Sequence, residues 1–153
     1  MVLWHRAEAL ADAREALAIA QRIGHRGWTA TSWRAIGIAC QSRGDLESAL
    51  DAFTASLTTS RHLDLFACWA AARSALVLIE LGDIDRAAPL VARALADGPP
   101  LGHYEARLAQ VELASAQGEK TTAALAQAAL ELADKGGALQ GRARLAELAR
   151  RDT

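Results

Sequence analysis

Four histidines and two cysteines are the residues of this chain best suited to bind a transition metal or to act as nucleophiles. They are widely separated in the sequence: His5, His25, His62, His103, Cys40 and Cys68. Protein zinc sites combine ligands at short, fixed spacings, such as two histidines four residues apart on one helix or a Cys-x-x-Cys pair. The sequence contains neither spacing, so we expect no metal site.

Two short stretches superficially resemble loops that bind phosphate or calcium. "GEKTT" at 118–122 lacks the Gly-Lys pair and the earlier glycine of a phosphate-binding loop. "GDID" at 82–85 lacks the spaced oxygen ligands and the final glutamate of a calcium loop. A catalytic triad assembled from distant residues is left open by the sequence, but no local serine-nucleophile motif is present. We therefore interpret the chain as a protein that is not an enzyme and uses no cofactor.

The bulk composition disfavours several other classes of protein. Hydrophobic residues make up 52% of the chain, enough for a continuous core, although aromatic residues are only 5%. The 17 basic and 18 acidic residues are spread along the chain, which disfavours direct nucleic-acid contact through a basic face. The longest apolar run, "SALVLIEL", is too short to span a bilayer, and the N-terminus lacks the features of a secretory signal. We expect a cytoplasmic protein that makes no membrane contact, with both cysteines as buried thiols.

Helical periodicity dominates the sequence. In residues 6–23, one apolar stripe recurs at spacings of three and four residues: Leu10, Ala13, Leu17 and Ala20. Breaks near residues 24, 44, 63, 82, 98, 118 and 136 interrupt the helical pattern. They predict an all-α protein of about eight antiparallel helices joined by short connections.

Three of the breaks consist of a glycine followed by an acidic residue: Gly44-Asp45, Gly82-Asp83 and Gly118-Glu119. Glycine can end a helix in the left-handed conformation, and an acidic residue after it can cap the next helix. The three pairs are separated by 38 and 36 residues. Repetition at such a period is typical of a helical solenoid.

The stretch from residue 33 to residue 53 resembles the tetratricopeptide repeat, whose pattern is W-x2-L-G-x2-Y, then Ala and Phe. The matching positions are Trp33, Ile36, Gly37, Cys40, Ala49 and Phe53. The resemblance implies a right-handed helical-repeat solenoid in which Gly37 lets the second helix approach the first, with Ala49 opposite. Cys40 replaces the aromatic residue of the family pattern, and Arg61 stands where a proline would end the repeat.

The resemblance also divides the chain, which we expect to be a single domain over 1–153. The divisions are a half repeat at 1–24, repeats at about 26–63, 64–98 and 100–136, and a terminal helix at 138–150. A shift of 38 residues places Ala75 over Gly37, whereas the third repeat has Val111 at this position, so its helices should lie farther apart. Pro89 lacks a backbone donor, and it predicts a late start or a kink in its helix.

Two longer stretches of the sequence show a finer resemblance. "ALAIAQRIGHRGWTATSWRAIGIACQSRGDLESALDAF" and the ending "ALELADKGGALQGRARLAELARR" are similar to repeats in large bacterial regulators, among them LuxR-type ATP-binding activators and related multidomain signalling proteins. In those regulators, such repeats lie between an ATPase module and a DNA-binding helix-turn-helix. This resemblance implies that the chain is a segment of a bacterial regulatory protein.

In the tetratricopeptide-repeat fold, the first helix of each pair lines a concave groove, and the resemblance assigns groove positions in this chain. They are Thr31, Arg34, Ile38 and Gln41 in the first repeat, Trp69, Ala72, Leu76 and Ile79 in the second, and Glu105, Leu108, Glu112 and Ser115 in the third. We expect Trp69, either exposed in the groove or buried in the core, and Arg34 beside it to matter most, because a guanidinium suits a carboxylate or an acidic peptide.

These features predict a non-catalytic scaffold that binds a peptide or a partner domain on its concave face. The alternative is a regulatory segment that binds a small effector inside the solenoid. The first helix of the chain matches the second helix of a repeat, and no partner helix precedes it. A second copy of the chain can therefore cover its apolar stripe and form a homodimer.

Overall fold

The computed structural model describes the backbone of residues 2–97 and 99–150, and the side chains of residues 8–96 and 99–150. Eight α-helices and one short 3-10 turn account for most of this backbone, and the described residues contain no β-strand. The helices are α1 (Val2–Arg22), α2 (Arg26–Ser42), α3 (Leu46–Thr59), α4 (Asp64–Glu80), α5 (Ile84–Asp97), α6 (His103–Ala116), α7 (Thr122–Gly136) and α8 (Arg142–Ala149). The predicted all-α architecture of about eight helices is confirmed.

Two of the three glycine–acid pairs end one helix and cap the next, as predicted, whereas α7 begins at Thr122, three residues after Glu119, with no side-chain cap. Gly44 and Gly82 have φ angles of 78° and 81°, which only glycine adopts without strain. The Asp45 carboxylate then accepts a hydrogen bond from the Ser48 backbone N–H at 3.1 Å and caps α3. Hydrogen bonding to the Ser48 side chain, followed by this bond to its backbone N–H, lowers the pKa of Asp45 below its usual value. Asp83 accepts the corresponding bond from the Arg86 N–H of α5.

Successive helices pack against each other along the chain, and the even-numbered helices also contact the next even-numbered helix. Thus α2 contacts α4, α4 contacts α6, and α6 contacts α8. The odd-numbered helices make no comparable contacts with one another within the described residues. Helices that lie closer together on one side of a stack curve the stack toward that side. The fold is therefore a helical-repeat solenoid with the even-numbered helices on its concave face.

The crossing of α2 and α3 depends on Gly37. A Cβ atom at this position would lie 2.5–2.8 Å from ring atoms of Phe53, which is fully buried. Gly37 therefore makes room for the Phe53 ring, and Ala49, predicted to lie opposite Gly37, is buried in the same core cluster. Trp33 is only half-buried at the edge of this cluster.

In the later helix pairs, the residue equivalent to Gly37 is larger than glycine. Ala75 and Val91 are both buried between α4 and α5, whereas α6 has Val111, which is also buried. The α6–α7 pair is less extensively packed than α2–α3 or α4–α5. The weaker packing of α6 against α7 agrees with the wider spacing expected from Val111, because a branched side chain keeps two helix axes farther apart than glycine does.

Two other expectations need correction. α5 begins at Ile84 and contains Pro89 in its interior, so the late start is not observed, and the kink that was the other possibility stays a prediction. The apolar stripe of α1, from Leu10 to Ala20, is buried, and its larger members belong to the core cluster shared with α2 and α3. This stripe is therefore not free to bind a second copy of the chain. Cys40 and Cys68 are both buried thiols, as expected.

Candidate binding surface

Three predicted groove residues from three different helices meet on the concave face. An Arg34 NH2 group on α2 donates to a carboxylate oxygen of Glu105 on α6, crossing over α4 between them. The Arg34 guanidinium also lies over the Trp69 ring of α4, with 5.1 Å between its central carbon and the ring centroid. This distance is within the range of a cation–π interaction. Trp69 is half-buried and packs edge-on against Phe66. It is therefore neither fully exposed in the groove nor fully buried in the core, the two alternatives that the sequence left open.

Arg73 is a fourth member of this cluster, and the sequence analysis missed it. Its side chain is only 4% exposed, and its Nε and NH2 groups each lie 3.3 Å from an oxygen of Glu105. Arg73 follows Trp69 by four residues on α4, which places both side chains on one face of the helix. The groove positions that the family pattern gives for α4 do not include residue 73, although its spacing of four from Trp69 is a signal that could have found it.

The connection between α7 and α8 supplies the fifth member. The Gln140 side-chain oxygen accepts a hydrogen bond from Arg73 NH2 at 2.6 Å, and its backbone carbonyl accepts one from the Tyr104 hydroxyl. Burial raises the pKa of Tyr104, so the phenol remains a proton donor in this contact. No repeat pattern predicts Gln140, because it lies in a connection and not at a periodic helical position.

The other predicted groove residues lie on the same helices but outside this cluster. Gln41 donates to Glu80 at 2.6 Å and links α2 to α4. Glu112 accepts two bonds from Arg144 of α8, at 2.9 and 3.3 Å, and these bonds raise the pKa of that arginine. The apolar members are half-buried and pack against the core: Ile38, Leu76 and Ile79.

Two assignments are wrong. Leu108 is only 8% exposed and belongs to the core between α6, α7 and α8. Its side chain packs against Gly141, where an added Cβ would lie 2.9 Å from a Leu108 methyl group. Ala72 is fully buried within α4. The family pattern places both at groove positions, but the α7–α8 connection covers Leu108, and a methyl side chain is too short to reach the surface at position 72.

The central cluster has more positive charge and more hydrogen-bond donors than it uses internally. Two guanidinium groups share the single carboxylate of Glu105. The Arg34 Nε group is buried and has no hydrogen-bond partner. A buried donor without a partner is costly, so each such group in a folded protein needs an explanation. The arrangement can bind and orient an acidic or polar group.

In the part of the chain described, no three residues among His, Cys, Asp and Glu converge to hold a metal ion, and His5 lies outside the described side chains.

A separate cavity lies on the other side of α2, between α1 and α3. Its volume is about 420 Å³, and its apolar wall includes Leu10, Trp33, Ile36 and Cys40. Arg14, Arg43 and Asp51 are among the charged residues that line it. Burial raises the pKa of the Cys40 thiol, with a smaller contribution from Asp45. This thiol therefore stays protonated and forms part of an apolar wall rather than acting as a nucleophile.

Comparison with known proteins identifies the repeat in the first part of the chain. Residues 6–62 match the sequence model of the tetratricopeptide repeat. The matched segment contains α2, α3 and most of α1, including the Gly37–Phe53 crossing. Repeats of this kind generally mediate protein–protein interactions and form non-catalytic scaffolds. No curated protein matched the chain. No helix in the described ranges has the length and apolar character needed to cross a membrane.

Proposed function

We propose that this tetratricopeptide-repeat domain is a non-catalytic scaffold that binds a peptide or a partner domain on its concave face. The observation that carries the proposal is the convergence of Arg34, Trp69 and Glu105 from α2, α4 and α6. A partner that lies across these helices would contact residues from all three repeats at once. Extended concave surfaces are the usual binding surfaces of helical solenoids.

Trp69 and Arg34 are the residues that we expect to contribute most to binding. Tryptophan and arginine side chains in well-packed positions dominate the binding energy of many protein interfaces, tryptophan because it buries a large area. Stacking on Trp69 already limits the motion of Arg34. Ile38, Leu76 and Ile79 supply an apolar surface beside them, and Gln41 and Glu112 supply polar groups.

A displayed peptide library selected on the full chain tests this proposal. Replacing Trp69 with Ala should weaken binding of the selected peptides by about 2 kcal/mol or more, as truncation of a central aromatic residue does in other interfaces. Trp28→Ala is the matched control, because Trp28 is 57% exposed and belongs to none of the groove positions. The proposal would be contradicted if Trp69→Ala bound the selected peptides as tightly as wild type does. It would also be contradicted if Trp69→Ala and Trp28→Ala weakened binding equally.

A second candidate function is the sensing of a small effector, and the cavity between α1 and α3 favours it. Its volume of about 420 Å³ is within the range of small-molecule sites. A thermal-shift screen with sugars, nucleotides and amphiphiles tests this function, because a ligand raises the melting temperature by mass action. Ala55→Trp should abolish the shift by filling the cavity, while Trp69→Ala should leave it intact. A shift that survives Ala55→Trp would rule out this cavity as the site.

The regulatory setting is a further part of the proposal. The similarity to repeats of LuxR-type and related bacterial regulators supports a cytoplasmic signalling role, in which other proteins rather than this domain contact DNA. A homodimer through α1 would have to use the exposed face that includes Ala16 and Ile19, since the opposite stripe is buried. Light scattering of the chain and of Ile19→Asp tests this dimer, and a monomeric wild-type chain would refute it.

A further inference from the structure

The concave cluster contains two cations and one anion, and one of the cations is almost completely withdrawn from water. Arg73 is 4% exposed, and Arg34 and Glu105 are 22% and 13% exposed. A buried charge is stable only where opposite charge and hydrogen bonds compensate for lost hydration. Glu105 provides one negative charge for two guanidinium groups, so the cluster has a net charge of +1.

The hydrogen bonds within the cluster are also incomplete. The two contacts between Arg73 and Glu105 measure 3.3 Å, whereas well-formed bonds between charged nitrogen and oxygen atoms measure about 2.7–2.9 Å. The Arg34 Nε group is buried without a partner. The two Glu105 oxygens contact both guanidinium groups, but they lie 3.3 Å from the Arg73 nitrogens and leave Arg34 Nε without an acceptor. A tetrahedral group with three free oxygens can accept bonds from both arginines.

We infer that Arg34 and Arg73 form a binding site for a dianionic phosphate group, and that Glu105 occupies this site when no ligand is bound. This inference rests on the proposed function of the concave face and specifies the chemistry of its ligand. When the phosphate enters, the Glu105 carboxylate turns toward solvent, and two negative charges then balance two positive ones. The Gln140 amide and the Trp69 ring keep the two guanidinium groups in place.

Competition with Glu105 explains why the ligand should be a dianion and not a carboxylate. Glu105 is attached to the fold, so its effective concentration at the arginines is on the order of millimolar or higher. A free carboxylate carries the same charge and gains nothing by replacing it. A phosphate monoester carries a charge between about −1.5 and −2 near neutral pH and has an additional acceptor oxygen, so it gains both charge balance and hydrogen bonds.

The test measures binding of phosphate groups to the full chain by calorimetry at constant ionic strength. The probes are inorganic phosphate, one of the selected peptides synthesised with a phosphoserine, and the same peptide with glutamate in place of phosphoserine. Glu105→Gln should bind phosphate at least about tenfold more tightly than wild type, because the resident anion is gone. Arg34→Gln should lose this binding. The matched control is Asp134→Asn, which removes the carboxylate of an ion pair outside the predicted groove positions and should leave phosphate affinity unchanged.

The possible outcomes separate this inference from the proposed function. Tighter binding of the phosphopeptide than of inorganic phosphate supports a phosphorylated protein partner, and equal binding supports a small phosphorylated molecule. The inference fails if Glu105→Gln and wild type bind phosphate equally or not at all, even where peptide binding still depends on Trp69. If Glu105→Gln does not fold, the Arg34 Nε–H resonance of the wild-type chain provides the readout. It should shift on addition of phosphate and not of acetate, and an unchanged resonance would refute the inference.

Discussion

The α2–α3 crossing and the concave cluster differ in how the sequence determines them. At the crossing, Gly37 and Phe53 are 16 residues apart, and their contact follows from one helical hairpin. In the cluster, Arg34 and Glu105 are 71 residues apart and meet only when α2, α4 and α6 are stacked with the observed curvature. The crossing therefore helps to determine how the helices pack, whereas the cluster forms only once the helices have packed.

This difference has an energetic counterpart. The crossing buries an aromatic ring against backbone, where close packing leaves no room for an added atom. The cluster exchanges water contacts of charged groups for ion pairs, and the net gain from such an exchange is small. We therefore expect changes at the crossing to lower the stability most, and changes in the cluster to lower stability and to alter binding as well.

The largest effect should come from Gly37→Ala. The added methyl would lie 2.5 Å from the Phe53 ring, and we expect it to lower the free energy of unfolding by about 1–3 kcal/mol despite the higher helix propensity of alanine. Gly136→Ala is the matched control, since a Cβ there meets no atom within 4 Å, and it should be neutral or stabilising. Urea denaturation measures both. A neutral Gly37→Ala would show that this crossing does not require close approach.

The next largest effect should come from Arg73→Met. The substitution keeps most of the buried volume but leaves Glu105 with Arg34 alone and removes the bond to Gln140. We expect a loss of about 1–3 kcal/mol in the free energy of unfolding, since one partner of a buried ion pair is removed. Thermal denaturation of Arg73→Met and of Arg73→Met with Glu105→Gln checks this origin. The double variant should recover part of the loss, and no recovery would mean that Arg73 acts mainly through packing.

A smaller effect concerns Tyr104 and alkaline pH. Burial raises its pKa, so the folded state favours the neutral phenol. The resulting stability is present below the unfolded-state pKa of about 10 and is lost as the pH rises through the folded-state value. Tyr104→Phe should lose about 1 kcal/mol at neutral pH through the missing bond to the Gln140 carbonyl. Its unfolding free energy should then fall less steeply above pH 10 than that of wild type. Identical alkaline profiles would contradict this assignment.

The smallest effect should come from Arg144→Gln. Its two bonds to Glu112 link α6 and α8, but the arginine is 41% exposed. Exposed ion pairs contribute about 0–1 kcal/mol and weaken as salt is added. Denaturation at low and high salt should therefore show a small difference from wild type that disappears at high salt. A loss as large as that of Arg73→Met would erase the distinction between this pair and the buried cluster.

The sequence predicted what depends on local spacing. Helical periodicity and the glycine–acid breaks located the helices, and the motif around Gly37 identified the first crossing. The same reasoning placed Arg34, Trp69 and Glu105 on one face, because periodic positions in successive repeats line up. It placed Arg34 beside Trp69 but did not predict the ion pair between Arg34 and Glu105. The role of these residues in binding stays a prediction, as does the division of the chain into repeats.

What the sequence missed depends on contacts between distant elements. Gln140 reaches Arg73 from a connection that no repeat pattern describes. The same connection covers Leu108 and removes it from the groove. Arg73 itself was overlooked because arginine is seldom buried, and its burial here depends on a carboxylate from another repeat. Long-range pairing of this kind has no periodic trace in a single sequence.

The central claim is that the concave face joins the first and third repeats through the cluster. A double-mutant cycle on Arg34→Gln and Glu105→Gln, measured by urea denaturation, tests it most directly. We expect a coupling free energy of about 0.5–2 kcal/mol between these residues, and none between Arg34 and Glu112. A coupling of zero between Arg34 and Glu105 would mean that the two repeats are not joined across α4, and the proposed site would have no basis.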